Sequence, residues 1–237
     1  MEFQLEVPDA AVRYILYQRT NYLHFTNTAA YKALHKLFPQ SSYKLAVGLE
    51  SRLRAAQTKE RYAESMRSEY ESLRAFLPST CRTVLDIGCG VAGIDPFIAR
   101  HYQNPVDFYL LDKTTTDREI LYGFRARASF YNSLSVAQEL LALNAIPEER
   151  IHPVTANSAD SIPVDEKIDL AISLLAWGFH FPVSTYLDQV HSLLSDEGLL
   201  ILDIQKDTDG IQELRIKFGT VDVILKRDVF SRVAARK

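Results

Sequence analysis

Apolar residues in the first 78 positions recur three and four apart, which is the spacing of one face of a helix. Three stretches show this pattern, at Val12, Ile15 and Leu16; at Tyr31, Leu34, Leu37 and Phe38; and at Tyr62, Met66, Tyr70, Leu73 and Leu77. Pro39 and Pro78 are expected to end the second and third stretches, because proline does not continue a helix. We predict that residues 1–78 form a helical cap on the substrate side. Its tyrosines are candidates for a substrate mouth, or for amphipathic surface: Tyr14, Tyr17, Tyr22, Tyr62 and Tyr70.

From Thr83 onward, short apolar runs alternate with helical patterns. Five runs are typical of buried strands, namely Thr83–Asp86, Asp107–Asp112, Ile151–Thr155, Ile168–Ser173 and Gly198–Ile204. Two further runs, Val221–Lys226 and Ser231–Ala235, follow one another around a short turn. Together they predict an α/β fold with a doubly wound, mostly parallel, seven-stranded sheet and an antiparallel strand pair at its edge. This domain is expected to span residues 79–237 and to bind its ligand beyond the carboxyl ends of the strands.

The stretch TVLDIGCGVAGIDPFIAR, residues 83–100, predicts a strand, a glycine-rich turn and the start of a helix. Gly88, Gly90 and Gly93 allow a sharp turn and a close approach to a ligand, because a Cβ at these positions would collide. Asp95 and Pro96 are expected to be the N-cap and the first residue of the helix. Such a unit directs backbone N–H groups to one place, which favours an anionic or carboxylate-bearing ligand.

Composition and charge narrow the range of functions. The formal net charge of −3 gives no electrostatic reason to expect a nucleic-acid partner. Cys81 and Cys89 are the only cysteines, too few for a disulfide framework, which favours a reducing compartment and a cytoplasmic location. The first residues contain neither a basic region nor a long apolar run, so neither secretion nor a membrane partner is expected. No Cys and His cluster has the spacing of a zinc site, and no metal is expected.

A glycine-rich turn after a strand also occurs in nicotinamide and flavin enzymes, so it does not identify the ligand by itself. Three other features favour a different cofactor. Asp86 lies two residues before the first glycine, and the turn follows about eighty residues of helical pattern. The second strand ends in Asp112, at a distance along the chain that suits a ribose hydroxyl pair.

With these features the chain resembles the class I S-adenosylmethionine-dependent methyltransferases, from about residue 58 to residue 237. The resemblance rests on the segments LDIGCGVAG, YLLDK, TANSADSIP, IDLAISLLAWGFHF and GLLILDI, and on the terminal strand pair. It implies a Rossmann-like fold, S-adenosyl-L-methionine as the cofactor and S-adenosyl-L-homocysteine as the product.

The resemblance also implies roles for single residues. The residues implied to bind the cofactor are Asp86, Gly88, Cys89 and Gly90 around its methionine part, Asp112 at the ribose with Lys113 beside it, Asn157 and Ser158 at the adenine, and Ser173 at the end of the fourth strand. Two positions depart from the family pattern. Asn157 stands in a turn where the family often has Gly-Asp-Ala, although an asparagine side chain can still pair with the adenine amine. Ala92 stands at the usual third glycine, one residue before Gly93.

The segment after the fourth strand is where the family places its acceptor-binding residues. It contains the only tryptophan, Trp177, together with His180 and Tyr186, and these three are predicted to bind the substrate. His180 is also predicted to be the general base, because imidazole titrates near neutral pH and can remove the proton of an alcohol. The alternative is that His180 packs between Phe179 and Phe181.

A second aromatic segment, Lys113–Leu134, is longer than a usual link between a strand and a helix. It is predicted to form a lid or wall near the adenosine, or a hydrophobic plug without ligand contact, through Tyr122, Phe124, Phe130 and Tyr131.

The sequence therefore predicts a methyltransferase acting on a small molecule, with oxygen as the expected acceptor atom. Three alternatives stay open: N-methylation of a small amine, N-methylation of a protein or RNA site, and cofactor binding without catalysis in a partner or sensor protein. The chain lacks Asn-Pro-Pro-Tyr and Asp-Pro-Pro-Tyr, the motif of many amine and nucleobase methyltransferases. It also lacks a set of carboxylates suited to the Mg²⁺-dependent catechol type. The expected partner is a small-molecule acceptor.

Overall fold

The computed structural model of the protein describes residues 3–102, 104–112, 115–116, 131–156 and 161–237. The first part of the chain is helical, as predicted, and contains α1 (Asp9–Gln18), α2 (Ala29–Leu37), α3 (Pro39–Leu53) and α4 (Ala55–Leu73). Two short 3-10 turns, Thr20–Tyr22 and Phe25–Asn27, connect α1 to α2.

Of the two prolines predicted to end helices, Pro39 acts as predicted only in part and Pro78 does not. Helix α2 does end before Pro39, but α3 begins at that proline. The fixed φ of proline suits the first turn of a helix, where the N–H that it lacks would have no helical partner. Helix α4 ends at Leu73, well before Pro78, in a turn where Phe76 N donates to Leu73 O at 2.9 Å.

The second part of the chain forms the α/β domain. Its elements are β1 (Thr83–Ile87), α5 (Asp95–His101), β2 (Asp107–Asp112), β3 (Thr115–Thr116), β4 (Tyr131–Asn132), α6 (Leu134–Leu143), β5 (Ile151–Thr155), β6 (Ile168–Ser173), β7 (Ala176–Phe181), α7 (Leu187–Leu193), β8 (Leu194–Gln205), α8 (Gly210–Phe218), β9 (Val221–Lys226) and β10 (Phe230–Arg236). Among the described residues, one sheet has seven strands in the order β5-β2-β1-β6-β8-β10-β9. The first five strands in this order (β5, β2, β1, β6 and β8) are parallel to one another. Strand β10 is antiparallel to both its neighbours, β8 and β9. The predicted fold class is confirmed.

Successive residues of the central strands point to opposite faces of the sheet, and each face has its own helices. Val84 and Leu110 belong to a buried cluster that also contains residues of α1, α4 and α6. Leu85 and Leu111 belong to a second cluster, with residues of α7 and α8. Helices on both faces make the sheet doubly wound, and the carboxyl ends of its parallel strands lie along one edge.

The segment after β6, for which no strand was predicted, contains strand β7. Gly178 has a φ of +80°, and a Cβ on it would lie 2.8 Å from the carbonyl oxygen of Asp203 in β8. The Phe179 ring packs edge to face against Phe230 at the start of β10, with ring centres 6.3 Å apart. Strand β7 therefore runs along the carboxyl edge of the sheet, past β8 and toward β10.

A buried ion-pair network attaches helix α4 to the last strands. The Arg232 guanidinium in β10 donates two hydrogen bonds to the Asp203 carboxylate in β8, at 2.7 and 2.8 Å. Both of these side chains are fully buried. The same guanidinium lies 2.8 Å from the Glu69 carboxylate and donates to Ser72 Oγ at 2.6 Å, and both partners are in α4. Helix α4 is thus held to the sheet by charged groups as well as by its apolar face.

Candidate active site

The glycine-rich loop between β1 and α5 lies at the carboxyl edge of the sheet and is held by the end of β2. Gly88 N donates to Leu111 O at 2.7 Å, and Gly90 N donates to a carboxylate oxygen of Asp112 at 2.8 Å. A carboxylate can accept several hydrogen bonds, so the bond from Gly90 orients Asp112 without preventing it from accepting others. Asp112, which is predicted to bind the ribose, therefore also holds the glycine-rich loop in place.

The glycines of this loop are needed for close packing within the protein. Gly88 has a φ of +73°, and a Cβ on it would lie 2.4 Å from Ala176 Cβ at the start of β7. A Cβ on Gly93 would lie 2.3 Å from the hydroxyl of Tyr62 in α4. Ala92, at the family's third glycine, itself adopts a φ of +58°. The departure from the family pattern therefore leaves the left-handed turn in place, on a residue that adopts it with some strain.

Two buried carboxyl groups, Asp86 in β1 and Asp95 in α5, lie close together at this loop. The prediction that Asp95 is the N-cap is wrong, because the cap is Ile94 and Asp95 is the first helical residue. The Asp95 side chain is fully buried. Neither of its oxygens has a hydrogen-bond partner of ordinary geometry among the described residues.

The environment of these carboxyls raises their pKa values. Burial raises the pKa of Asp95 to about 7. Burial first, and the neighbouring carboxyls of Asp95 and Asp112 second, hold the pKa of Asp86 well above its usual range. Burial and the same three carboxyls also raise the pKa of Cys89, which is therefore an uncharged thiol. A buried group of acids favours a ligand that is cationic or donates hydrogen bonds.

Side chains from the helical cap close over the loop. Tyr62 is buried against Gly93, and a Cβ on Gly90 would lie 2.9 Å from the side-chain oxygen of Gln18, the last residue of α1. The guanidinium carbon of Arg19 lies 5.5 Å from the centre of the Tyr62 ring. Tyr62 is one of several tyrosines singled out from the sequence, but Gln18 and Arg19 were not predicted, because polar residues at a helix end carry no local sign of a contact distant in sequence.

Asn132 is a further candidate that the sequence did not reveal. It is buried in β4, and its side-chain nitrogen lies 4.0 Å from Cys89 Sγ. Its side-chain oxygen is buried and has no hydrogen-bond partner among the described residues. An unmet acceptor beside the glycine loop is suited to a ligand N–H or O–H group.

Three of the predicted site residues lie in the packed core beside β6. Ser173 Oγ donates to Ile87 O at 2.6 Å and accepts a hydrogen bond from Trp177 N at 3.0 Å. The Trp177 indole N–H donates to the carbonyl oxygens of residues 182 and 183, and its ring packs edge to face against Tyr186. All three side chains are buried, and these contacts fix β7 against β1. Their roles toward cofactor and substrate stay predictions.

His180 is half-buried in β7, and its ring centre lies 5.0 Å from that of Phe179. Burial lowers the pKa of His180, so its imidazole is neutral at neutral pH and a ring nitrogen can accept a proton. Strand β7 starts at Ala176 beside the glycine loop, and a strand rises about 3.3 Å per residue. His180 is therefore at most about 13 Å from Ala176, on the side of β8 and β10.

Several predicted residues lie outside the described part of the chain: Lys113, Asn157 and Ser158 of the cofactor set, and Tyr122, Phe124 and Phe130 of the predicted lid. The side chain of Tyr131 is likewise outside it. Described residues next to these segments lie at the carboxyl edge of the sheet, since Ala156 N donates to Asp112 O at 2.9 Å.

The described ranges of the chain contain no group of three His, Cys, Asp or Glu side chains that could hold a metal ion. None of their helices is long and apolar enough to cross a membrane. An open cleft of about 780 Å³ lies between residues 4–9 and α4, and it is lined by Lys59, Glu60 and Arg67 among others. No residue of the glycine loop lines this cleft.

Comparisons with known proteins identify solved structures of the same fold but no close relative in sequence. No protein-family model and no curated protein matches the chain. A precorrin-6y C5,15-methyltransferase from Geobacter metallireducens aligns with a TM-score of 0.51 and 15% identity, over 74% of this chain and 89% of that one. The StiE O-MT fragment aligns with a TM-score of 0.53 and 12% identity, over 79% and 80%. The T. thermophilus 16S rRNA N2 G1207 methyltransferase, solved with AdoMet and guanosine, aligns with a TM-score of 0.49 and 16% identity.

The chain thus has the fold of the class I S-adenosylmethionine-dependent methyltransferases, with residues 88–93 as its glycine-rich loop. It covers only 42% of the rRNA methyltransferase, and at this level of identity the alignments show the fold alone. The named activities of the aligned proteins also differ.

Proposed function

We propose that the protein is an S-adenosylmethionine-dependent methyltransferase that methylates an oxygen atom of a small molecule. The observation that carries this proposal is the buried carboxyl pair Asp86 and Asp95 at the glycine loop. The methionine end of the cofactor presents an ammonium group, which supplies both the hydrogen-bond donors and the positive charge that this pair lacks. A dinucleotide would bring a pyrophosphate to the same loop, where the carboxyl groups would repel it.

Each part of the loop has a task in this proposal. Asp86 and Asp95 hold the ammonium group, and Asp112 accepts the ribose hydroxyls while it keeps Gly90 in place. Cys89 contributes its backbone, because its thiol is uncharged and buried. The bound cofactor supplies an electrophilic methyl group. The remaining proposed cofactor contacts are Gly88, Lys113, Asn157, Ser158 and Ser173.

The protein's part in the transfer is to align the acceptor and to remove its proton. His180 is proposed as the general base, supported by its place on β7 at the carboxyl edge and by its lowered pKa. Trp177 and Tyr186 are proposed to shape the acceptor pocket indirectly, because their packing fixes the position of β7. Residues 1–78 are proposed as the substrate-side wall, supported by the contacts of Gln18 and Tyr62 with the loop.

Calorimetric titration tests the cofactor. We expect S-adenosylmethionine to bind and NAD not to bind. Asp112→Ala should weaken S-adenosylmethionine binding roughly ten- to a hundredfold, because a hydrogen bond to a charged group contributes about 1.5–3 kcal/mol. Asp107→Ala is the matched control, since Asp107 begins the same strand and pairs with Arg150 and His152 instead. Preferential binding of NAD would overturn the proposal.

Release of S-adenosylhomocysteine from a panel of phenols, alcohols, carboxylic acids and amines tests the acceptor. We expect release with at least one oxygen acceptor. Release with amines alone would instead indicate N-methylation. Binding of S-adenosylmethionine without release for any acceptor would indicate a partner or sensor protein.

A further inference from the structure

Exposed apolar side chains are concentrated in one part of the helical cap. The described residues include ten exposed large apolar side chains, and six of these lie within residues 34–53: Leu34, Leu37, Phe38, Leu45, Leu49 and Leu53. Single exposed apolar residues are ordinary, but a cluster of this kind indicates an interaction surface.

Helix α2 is attached to the cap by polar contacts and leaves its apolar residues outside. The Tyr31 hydroxyl lies 3.1 Å from His35 Nδ1, which in turn lies 2.9 Å from Ser42 Oγ in α3. Leu37 and Phe38, by contrast, are 71% and 59% exposed. None of the side chains described for α2 is buried. An amphipathic helix normally buries its apolar stripe, but the Leu37 and Phe38 end of this stripe stays largely exposed within the described chain.

Helix α3 adds a second exposed stripe. It packs on the cap through Tyr43, Ala46 and Val47, which are buried. Leu45, Leu49 and Leu53 recur every four residues beside this buried face and are exposed, the last of them by 71%. The two neighbouring helices therefore both present leucines to solvent.

The same two helices carry positive charge without exposed acids. Residues 28–54 contain five basic residues, Lys32, Lys36, Lys44, Arg52 and Arg54, although the whole chain has a formal net charge of −3. The single acidic residue of this stretch, Glu50, is buried and accepts a hydrogen bond from Phe25 N at 2.5 Å.

We propose that α2 and α3 dock on an anionic lipid surface. Exposed leucine and phenylalanine stripes would enter the acyl boundary, while the surrounding lysines and arginines would meet the lipid phosphates, as in helices that lie in the plane of a membrane interface. The charge favours this partner, because a cationic helix pair without exposed acids complements an anionic surface. The expectation of no membrane partner rested on leaders and spanning segments, and a helix pair that lies on a lipid surface needs neither. The proposal does not depend on methyl transfer.

Co-sedimentation of the full chain with vesicles tests the proposal. We expect binding to phosphatidylcholine vesicles that contain phosphatidylserine and much weaker binding to phosphatidylcholine alone. Binding should weaken as salt is added, because salt screens the exposed charges. The double variant Leu37→Ser, Phe38→Ser should reduce the partition coefficient at least about tenfold through the loss of apolar insertion. Lys32→Gln with Lys36→Gln should also reduce it and should flatten the salt dependence.

The matched controls lie outside the cap. Ile216→Ser changes a residue of α8 that is 78% exposed, and Lys206→Gln with Lys226→Gln removes two cations elsewhere; both variants should bind vesicles as the wild type does. Because the substituted side chains are exposed, thermal unfolding should be unchanged, which separates docking from folding. Absence of wild-type binding, or equal binding by the Leu37 and Phe38 variant, would overturn the proposal. A dimer in sedimentation that this variant dissociates would also overturn it and would assign the surface to a second copy of the chain.

Discussion

Asp95 combines full burial, the absence of an ordinary hydrogen-bond partner among the described residues and a pKa of about 7. Leaving a buried polar group unpaired costs on the order of 1–3 kcal/mol. Burial is what raises the pKa of Asp95, while the neighbouring Asp86 carboxyl lowers it through a hydrogen bond. A ligand ammonium group would remove this cost, so we expect binding and proton release to be linked at this residue.

The ligand-free protein should therefore lose stability as the pH rises. The folded pKa of Asp95 lies above its ordinary value of 3.8, so the folded state holds the proton more tightly than the unfolded state. This contribution is fully present below the ordinary pKa of 3.8 and is lost as the pH rises through the folded pKa of about 7. Between about pH 5 and pH 8 the loss amounts to about 3 kcal/mol, because one pKa unit is worth about 1.4 kcal/mol.

Asp95→Asn is the test of this linkage. Urea unfolding should show a smaller fall in the free energy of unfolding of the variant over the same pH range. Its affinity for S-adenosylmethionine should be at least about tenfold lower, because the amide cannot supply the negative charge. Parallel pH profiles for variant and wild type would show that Asp95 is not the titrating group.

His180 is the residue on which the proposed chemistry depends most. His180→Ala should lower turnover by about 10²–10⁴-fold, the usual contribution of a positioned base, and should leave S-adenosylmethionine affinity nearly unchanged. The acidic limb of the pH–rate profile should disappear, because the variant has no imidazole whose protonation at low pH would block removal of the acceptor's proton. His152→Ala is the control, because His152 is bound to Asp107 at 3.0 Å. A near wild-type rate for His180→Ala would mean that alignment alone drives the transfer.

Among the elements, those defined by local pattern were predictable and those defined by distant contacts were not. Strands β2, β5, β6 and β9 have the predicted bounds because each is a short apolar run between turn residues. Strand β7 escaped prediction because its course depends on Gly178 fitting against Asp203. The start of α5 near Asp95 was predicted to within one residue. The proximity of Asp86 to Asp95 depends on tertiary packing, which the local sequence does not show. The contacts of Gln18 and Tyr62 with the loop are of the same kind.

Helix α4 should depend strongly on its buried ion pairs. Arg232→Met would leave the fully buried Asp203 carboxylate without its bidentate partner, and breaking such a pair costs about 3–5 kcal/mol. Because Tyr62 and Glu69 lie on the same helix, affinity for S-adenosylmethionine should fall as well. Denaturant unfolding and calorimetric titration measure the two effects.

Two variants serve as controls for this prediction. Arg232→Met combined with Asp203→Asn should recover part of the lost stability, since the uncompensated charge is removed. Lys217→Met breaks a mainly exposed ion pair with Asp188 and should change little. If Arg232→Met were as stable as the wild type, the network would not be what attaches α4.

At the scale of the whole molecule, the cap and the α/β domain are not separate bodies. Ile15 of α1 and Leu73 of α4 belong to the same buried cluster as Val84 and Leu110 of the sheet. The division at residue 78 therefore separates no folding unit, and the acceptor-side role of the cap stays a proposal. Loss of α1 would expose a face of the sheet, so we expect the cap to be required for folding.

The bond between Arg232 and Ser72 also has a consequence for how the protein forms during synthesis. Its two residues are 160 positions apart, and β10 is inserted between β8 and β9 in the sheet. A nascent chain can therefore build the parallel strands while α4 is still unattached on its charged side. The guanidinium can bind α4 and Asp203 only after β10 has left the ribosome, so we expect the closing of the glycine loop by Tyr62 to be a late event in folding.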